Sequence, residues 1–150
     1  MSKKLAVMQP YFFPYIGYFQ LIDSVDSFIF YDDVAYIKGG WINRNYIKNN
    51  VRFSVPIKKK SSYTTINETF IDWDSFRSDK FIKTLEFSYS NSPNKEEVIS
   101  IIKNLFRLKP KSIATLASES VILVSRYLDI KTNFRFSSSM SYDKSNRSQT

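Results

Sequence analysis

The segment KLAVMQPYFFPYIGYFQLIDSVDSFIFYDD, residues 4–33, constrains the fold more than any other stretch of the chain. Residues 4–8 are a short apolar run stopped by Gln9 and Pro10, which reads as a buried strand. Pro14 and Gly17 bracket a turn into a helix expected over 16–24, with Ile16, Phe19 and Ile22 on one face. Residues 27–31, SFIFY, are aromatic and β-branched and read as a second strand. Two strands can run side by side in the same direction only through a crossover, so strand, helix and strand in close succession point to a parallel sheet. The expected fold class is α/β, a parallel Rossmann-like sheet flanked by helices.

Further along, residues 51–57 (VRFSVPI) and 65–71 (TINETFI) are expected to pair as an added β-hairpin, with 58–63 as its loop. Asp72 or Asp74 can cap a helix over 75–89. Ser92 as N-cap, Pro93 at the first helical position and Glu96 and Glu97 in the first turn open another. Its apolar positions Val98, Ile101, Ile102 and Leu105 follow the spacing i, i+3, i+4, i+7, and Pro110 closes it. Residues 112–128 form an amphipathic helix through Ile113, Leu116, Val121, Val124 and Leu128, and 133–136 a last short strand. With 150 residues the chain is the size of one domain. No helix follows the final strand to cover it, so residues 1–150 read as a single, C-terminally truncated domain.

The chain has no Cys and no His. Disulfides, thiol nucleophiles, thiolate metal sites, imidazole acid–base chemistry and His-ligated metals are therefore excluded. A net charge of +8, from 22 basic and 14 acidic residues, favours an anionic partner. The basic residues are dispersed, with one tight run at Lys58–Lys60 that reads as a solvated hairpin tip, so a nucleic-acid-tracking stripe is not favoured. The opening MSKKLAVM has too short an apolar run for a secretion signal, and no stretch approaches a membrane span. A cytoplasmic location is the default expectation.

In parallel α/β sheets, ligands bind beyond the carboxyl ends of the strands. Gln9, Tyr11, Tyr15, Gly17 and Tyr18 follow the end of the first expected strand, and Asp32 and Asp33 follow the end of the second. The two prolines and the glycine make the aromatic loop rigid and let a ligand approach its backbone as it enters a helix N-terminus. Phe13 and Phe19 read as core, whereas Gln9, Tyr15 and Tyr18 read as site residues, because a buried Tyr hydroxyl needs a partner. Asp32 suits a sugar hydroxyl pair, Mg²⁺ or a proton, and equally a turn; Asp33 reads rather as a turn or cap. After Gly39 and Gly40, Trp41, Asn43, Arg44 and Asn45 gather a stacking ring, two amides and a guanidinium, a set suited to phosphate, carboxylate or sugar. In the polar tail SSSMSYDKSNRSQT, hydroxyls with Lys144 and Arg147 at a strand end could touch phosphates, but a frayed terminus is the simpler reading.

Together, QPYFFPYIGYFQLI, VDSFIFYDDVAYIKGGWINRN, FSVPIK and FRFSSSM resemble the WbqC-like protein family, closely over residues 5–58 and more loosely from Trp73 onward. The resemblance implies Gln9, Tyr11, Pro14, Gly17, Tyr18, Asp32, Trp41, Asn43 and Arg44 as signature positions. It also implies a role in bacterial surface-polysaccharide (O-antigen) biosynthesis, transferring a glycyl or related acyl group to an amino-sugar carried on a nucleotide. Family members are typically longer, and the helix after Trp73 usually carries a His where this chain has Arg77 and Lys80 nearby. On this reading Tyr18, Asp32 and Arg44 are the catalytic candidates. Gln9, Tyr11, Tyr15, Gly17, Trp41, Asn43 and Asn45 bind the substrate. The partner is an anionic small molecule such as a nucleotide-sugar, no protein-built metal site is expected, and the cofactor, Mg²⁺ or a nucleotide, stays open. The competing classes are a non-catalytic glycan- or nucleic-acid-binding module and an inactive truncated family member.

Overall fold

A computed structural model describes residues 2–59, 61 and 63–142. Lys60 of the basic run, and Lys144 and Arg147 of the tail, lie outside the described residues. Strand β1 (Leu5–Met8), helix α1 (Ile16–Asp23) and strand β2 (Ser27–Phe30) form the expected crossover unit. Strand β5 (Asn133–Phe136) completes a three-stranded parallel sheet in the order β1-β2-β5. Met8, Phe30 and Phe136 stand in one row, so the three strands end together. Phe28 and Phe30 of the central strand are fully buried against Tyr18, Phe19 and Ile22 of α1 and Val121 and Ile122 of helix α4 (Ile113–Tyr127).

The hairpin is present, but its partners differ from those expected. Strand β3 (Arg44–Ile47) pairs antiparallel with β4 (Val51–Ser54), and the β-pairing of residues 65–71 with the 51–57 segment among the described residues is an isolated Ile57–Ile71 bridge. Two asparagines make the reversal, Asn49 at φ 64° and Asn50 at φ 55°. Asn tolerates the left-handed region better than most side chains, so the turn forms without glycine. The Arg44 and Asn45 of WINRN are thus strand residues rather than a loop.

Helices α2 (Ser78–Ser88) and α3 (Lys95–Arg107) pack with α4 around a second core that includes Phe12, Val55, Phe81, Leu105 and Leu116. Asp72 accepts from the Ser75 hydroxyl at 2.6 Å and so caps the turn ahead of α2 rather than the helix itself. Residues 92–94 form a turn, and α3 starts two positions later than its Pro93 suggested. The buried face of α3 is Ile99, Ile102, Leu105 and Phe106, one step round from the expected stripe, which leaves Val98 at 39% exposure. Helix α4 joins the two cores: Ile113, Leu116 and Ala117 serve one, Val121 and Ile122 the other. Its N-cap is Ser112, whose hydroxyl accepts from the Thr115 N–H at 3.2 Å.

Candidate functional site

The coincident strand ends bring Gln9, Tyr31–Asp33 and Ser137–Ser139 to one edge of the sheet. Asp32 and Asp33 are both buried there, at 4% and 5% exposure. A charge taken out of water needs hydrogen bonds or a counter-charge. No Lys or Arg among the described residues forms an ion pair with Asp32. The hydrogen bonds to Asp32 come from the short turn Ser137–Ser139 that ends β5. Asp32 accepts from the Ser138 N–H at 3.0 Å, the Ser138 hydroxyl at 2.7 Å and, at 3.1 Å, the Ser137 hydroxyl. Asp33 accepts from the Ser137 hydroxyl at 2.6 Å and from Tyr142 at 2.7 Å. Ser137 also accepts from the Asp32 N–H at 3.2 Å. Asp33 is therefore as firmly built into the strand-end cluster as Asp32, and not the turn or cap its neighbourhood suggested.

The aromatic loop and the hairpin meet beside this edge. The Phe12 N–H donates to the Trp41 carbonyl at 3.2 Å, and the Asn45 amide donates to the carbonyls of Phe12 (3.2 Å) and Phe13 (2.6 Å). Phe13 holds a left-handed backbone, φ 45°, and its N–H is satisfied by the Ser120 hydroxyl at 3.1 Å. A bulky residue in that region is strained and stays there only when its surroundings fix it. Asn45 and Ser120 do so from either side. The two N-terminal segments singled out by sequence are thus one structural unit.

The sequence of the whole unit is also shared. The model of the WbqC-like protein family matches residues 9–150. The chain belongs to the WbqC-like protein family. It is also 32% identical over 146 residues to the Mycobacterium tuberculosis (strain ATCC 25618 / H37Rv) protein described as "Uncharacterized protein Rv1507c". That match covers 94% of this chain and 62% of the relative, so this WbqC-like chain spans less than two thirds of the relative's length. No solved structure matches it.

The candidate residues of the loop and hairpin fall into two groups. Tyr18, Asn43, Asn45 and Arg44 have their polar groups engaged within the protein. Tyr18 is 2% exposed and donates to the Gln9 carbonyl at 2.8 Å; burial pushes its hydroxyl pKa strongly up. It packs against Tyr11, ring centroids 5.7 Å apart, and so holds the loop instead of facing solvent as a proton-transfer group. Asn43 accepts from the Tyr36 hydroxyl at 2.7 Å and donates to the Val55 carbonyl at 2.8 Å. Burial raises the Tyr36 pKa, against the opposing charge of Arg44. Arg44 donates to the carbonyls of Gly39 and Gly40, fixing the turn in which Gly39 takes φ 87°. It has no carboxylate partner among the described residues, so its charge stays available to an anion.

The second group faces outward. Tyr15 is 73% exposed and its ring lies over Gly17, where a Cβ would come within 2.3 Å of it. Trp41 is 44% exposed and stacks edge-on with Tyr46, centroids 6.0 Å apart. Three residues of the acid cluster were not recognised from sequence: Ser137, Ser138 and Tyr142. The available signal was SSS directly after a strand expected to lie in a parallel sheet. No set of three or more acidic residues among the described residues is grouped to hold a metal. No helix among the described residues is long and apolar enough to cross a membrane.

Proposed function

We propose that this chain binds a nucleotide-linked amino-sugar at the strand ends and takes part in transferring a glycyl or related acyl group to its amine. The carrying observation is the Asp32 carboxylate, set by Ser137 and Ser138 beyond the end of the central parallel strand. The exposed rings of Tyr15 and Trp41 offer apolar faces to a sugar or base, and Arg44 a guanidinium to a phosphate. In the step itself, the sugar amine attacks the carbonyl carbon of an activated acyl donor. The C–N bond forms, the donor's leaving group departs with its electron pair, and the nitrogen's proton passes to the Asp32 carboxylate. Tyr18, Asn43 and Asn45 position the loop and hairpin.

The test is titration with a UDP-amino-sugar, followed by turnover with an acyl donor. Trp41→Ala and Tyr15→Ala should each weaken binding by about tenfold. Asp32→Asn should bind with near-normal affinity and abolish transfer. Absence of nucleotide-sugar binding by the unaltered chain would sink the reading. The exposed Trp41–Tyr46 pair also favours a second reading, a glycan-binding module without catalysis, which binding with no turnover under any donor would select.

A further inference from the structure

Two neighbouring hollows flank the β3–β4 hairpin and share Ile47, Phe53 and Phe81 as walls. The first, about 440 Å³, lies between the hairpin and helices α2 and α3. Its remaining walls include Phe13, Tyr46, Leu85, Tyr89 and Val98, and the one charged residue lining it among the described residues is Lys95. The second, about 400 Å³, lies between β4 and the start of α2. Arg52, Arg77 and Lys80 line it, with the hydroxyl-bearing Ser54, Ser75 and Thr84. No acidic residue among the described residues lines either hollow. Arg52, Arg77 and Lys80 have no carboxylate partner among the described residues. Lys95 pairs with Glu96 at 3.1 Å, but Glu96 is 85% exposed, and such a surface pair is weak enough to yield to a ligand.

Exposed cations are ordinary on a chain of net charge +8. What separates these three is that they line one concavity whose neighbour is walled mainly by aromatic and aliphatic side chains. Both volumes fall within the range of small-molecule sites. A neutral apolar ligand would fill the first hollow and leave three cations unanswered; inorganic phosphate would meet the cations and leave the apolar walls wet. We infer that the hairpin groove binds a soluble amphiphilic phosphate, with its apolar body in the first hollow and its phosphoryl group against Arg52, Arg77 and Lys80. Guanidinium forks match phosphate oxygens two at a time, which fits the pairing of two arginines with a lysine. Phe53 and Phe81, ring centroids 4.3 Å apart, form the wall where head and body meet. The groove shares no lining residue with the Asp32 cluster, although Asn45 and Tyr46 connect it to the hairpin of the candidate site.

The test is an amide NMR titration of the full chain with octyl phosphate below its micellar concentration, beside inorganic phosphate and octyl glucoside. Octyl phosphate should bind about tenfold or more tighter than either control, shifting amides that line both hollows. The double variant Arg77→Gln/Lys80→Gln, at exposed positions, should weaken octyl phosphate by about tenfold and leave octyl glucoside unchanged. Val98→Asp, in the first hollow's wall, should weaken both amphiphiles. Three outcomes overturn the inference: inorganic phosphate binding as tightly as octyl phosphate, an unaffected double variant, or binding confined to phosphatidic-acid vesicles or to single-stranded oligonucleotides.

Discussion

Ser137→Ala tests whether the serine turn holds the acid pair together. Ser137 is 4% exposed, and its hydroxyl has one proton and two acceptor sites. It lies 2.6 Å from an Asp33 oxygen and 3.1 Å from an Asp32 oxygen, and it accepts from the Asp32 N–H at 3.2 Å. Alanine deletes a hydrogen bond to a charged acceptor, worth about 1.5–3 kcal/mol, and orphans a buried N–H, costing about 1–3 kcal/mol. The Ser138 and Tyr142 donors remain, so the carboxylates stay partly satisfied and the two losses overlap. We expect a net destabilisation of about 3 kcal/mol, or a fall in Tm of about 6–12 °C for a chain of this size. Urea unfolding should show the midpoint displaced with the slope unchanged, since the exposed area on unfolding does not alter. Ser139→Ala is the control: its hydroxyl donates to the Phe136 carbonyl at an exposed position, and its loss should cost at most about 1 kcal/mol. If Ser137→Ala proves no more costly than Ser139→Ala, the turn is a frayed end and the account of the acid cluster fails.

Two other perturbations probe how the loop is held. Asn45→Asp keeps the shape but replaces the NH₂ that donates to the Phe12 and Phe13 carbonyls with an acceptor, so it should cost about 2–4 kcal/mol, against about 1–2 for Asn45→Ala. Equal costs in chemical denaturation would mean that the donor does not fix the Phe13 backbone. Tyr18 has a folded pKa raised above its ordinary value of 10.0 by burial, so the unfolded chain releases this proton first. Its contribution is complete below pH 10.0 and drains away as pH rises above that value. Tyr18→Phe should lower stability near pH 8 by about 1 kcal/mol, through loss of the bond to Gln9, yet decline less steeply above pH 10.0 than the unaltered chain. Parallel declines measured by urea unfolding would contradict that origin.

What the sequence disclosed was what local pattern can encode. The apolar runs at Leu5–Met8 and Ser27–Phe30, with the helix Ile16–Asp23 between them, needed no distant information, and Asn133–Phe136 was found to the residue. The pairing of β4 was misread because it is non-local. Residues 65–71 look more strand-like than Arg44–Ile47, whose Arg and Asn have poor intrinsic β preference. Those two polar side chains are in the strand because of what they hold, the Gly39–Gly40 turn and the Phe12–Phe13 carbonyls. The Asn49–Asn50 pair was the legible sign of the true reversal, since adjacent Asn residues are suited to positive φ.

The same reasoning explains the displaced stripe on α3 and the unforeseen groove. VISIIKNLF carries more apolar residues than one helix face can bury, so periodicity alone admits two phases. The helix buries Ile99, Ile102, Leu105 and Phe106, and the surplus Val98 becomes part of the wall of the hollow beside the hairpin. An apolar residue that fits the helical period but not the core is therefore informative: it marks where a second surface is being built. Asp33 teaches the complementary point for polar residues. Beside Asp32 it resembles an ordinary turn, and its partners Ser137 and Tyr142 lie more than a hundred positions away. A pair of acids at the end of one parallel strand and a run of serines at the end of its neighbour each look unremarkable. Only the shared row through Phe30 and Phe136 makes them one site.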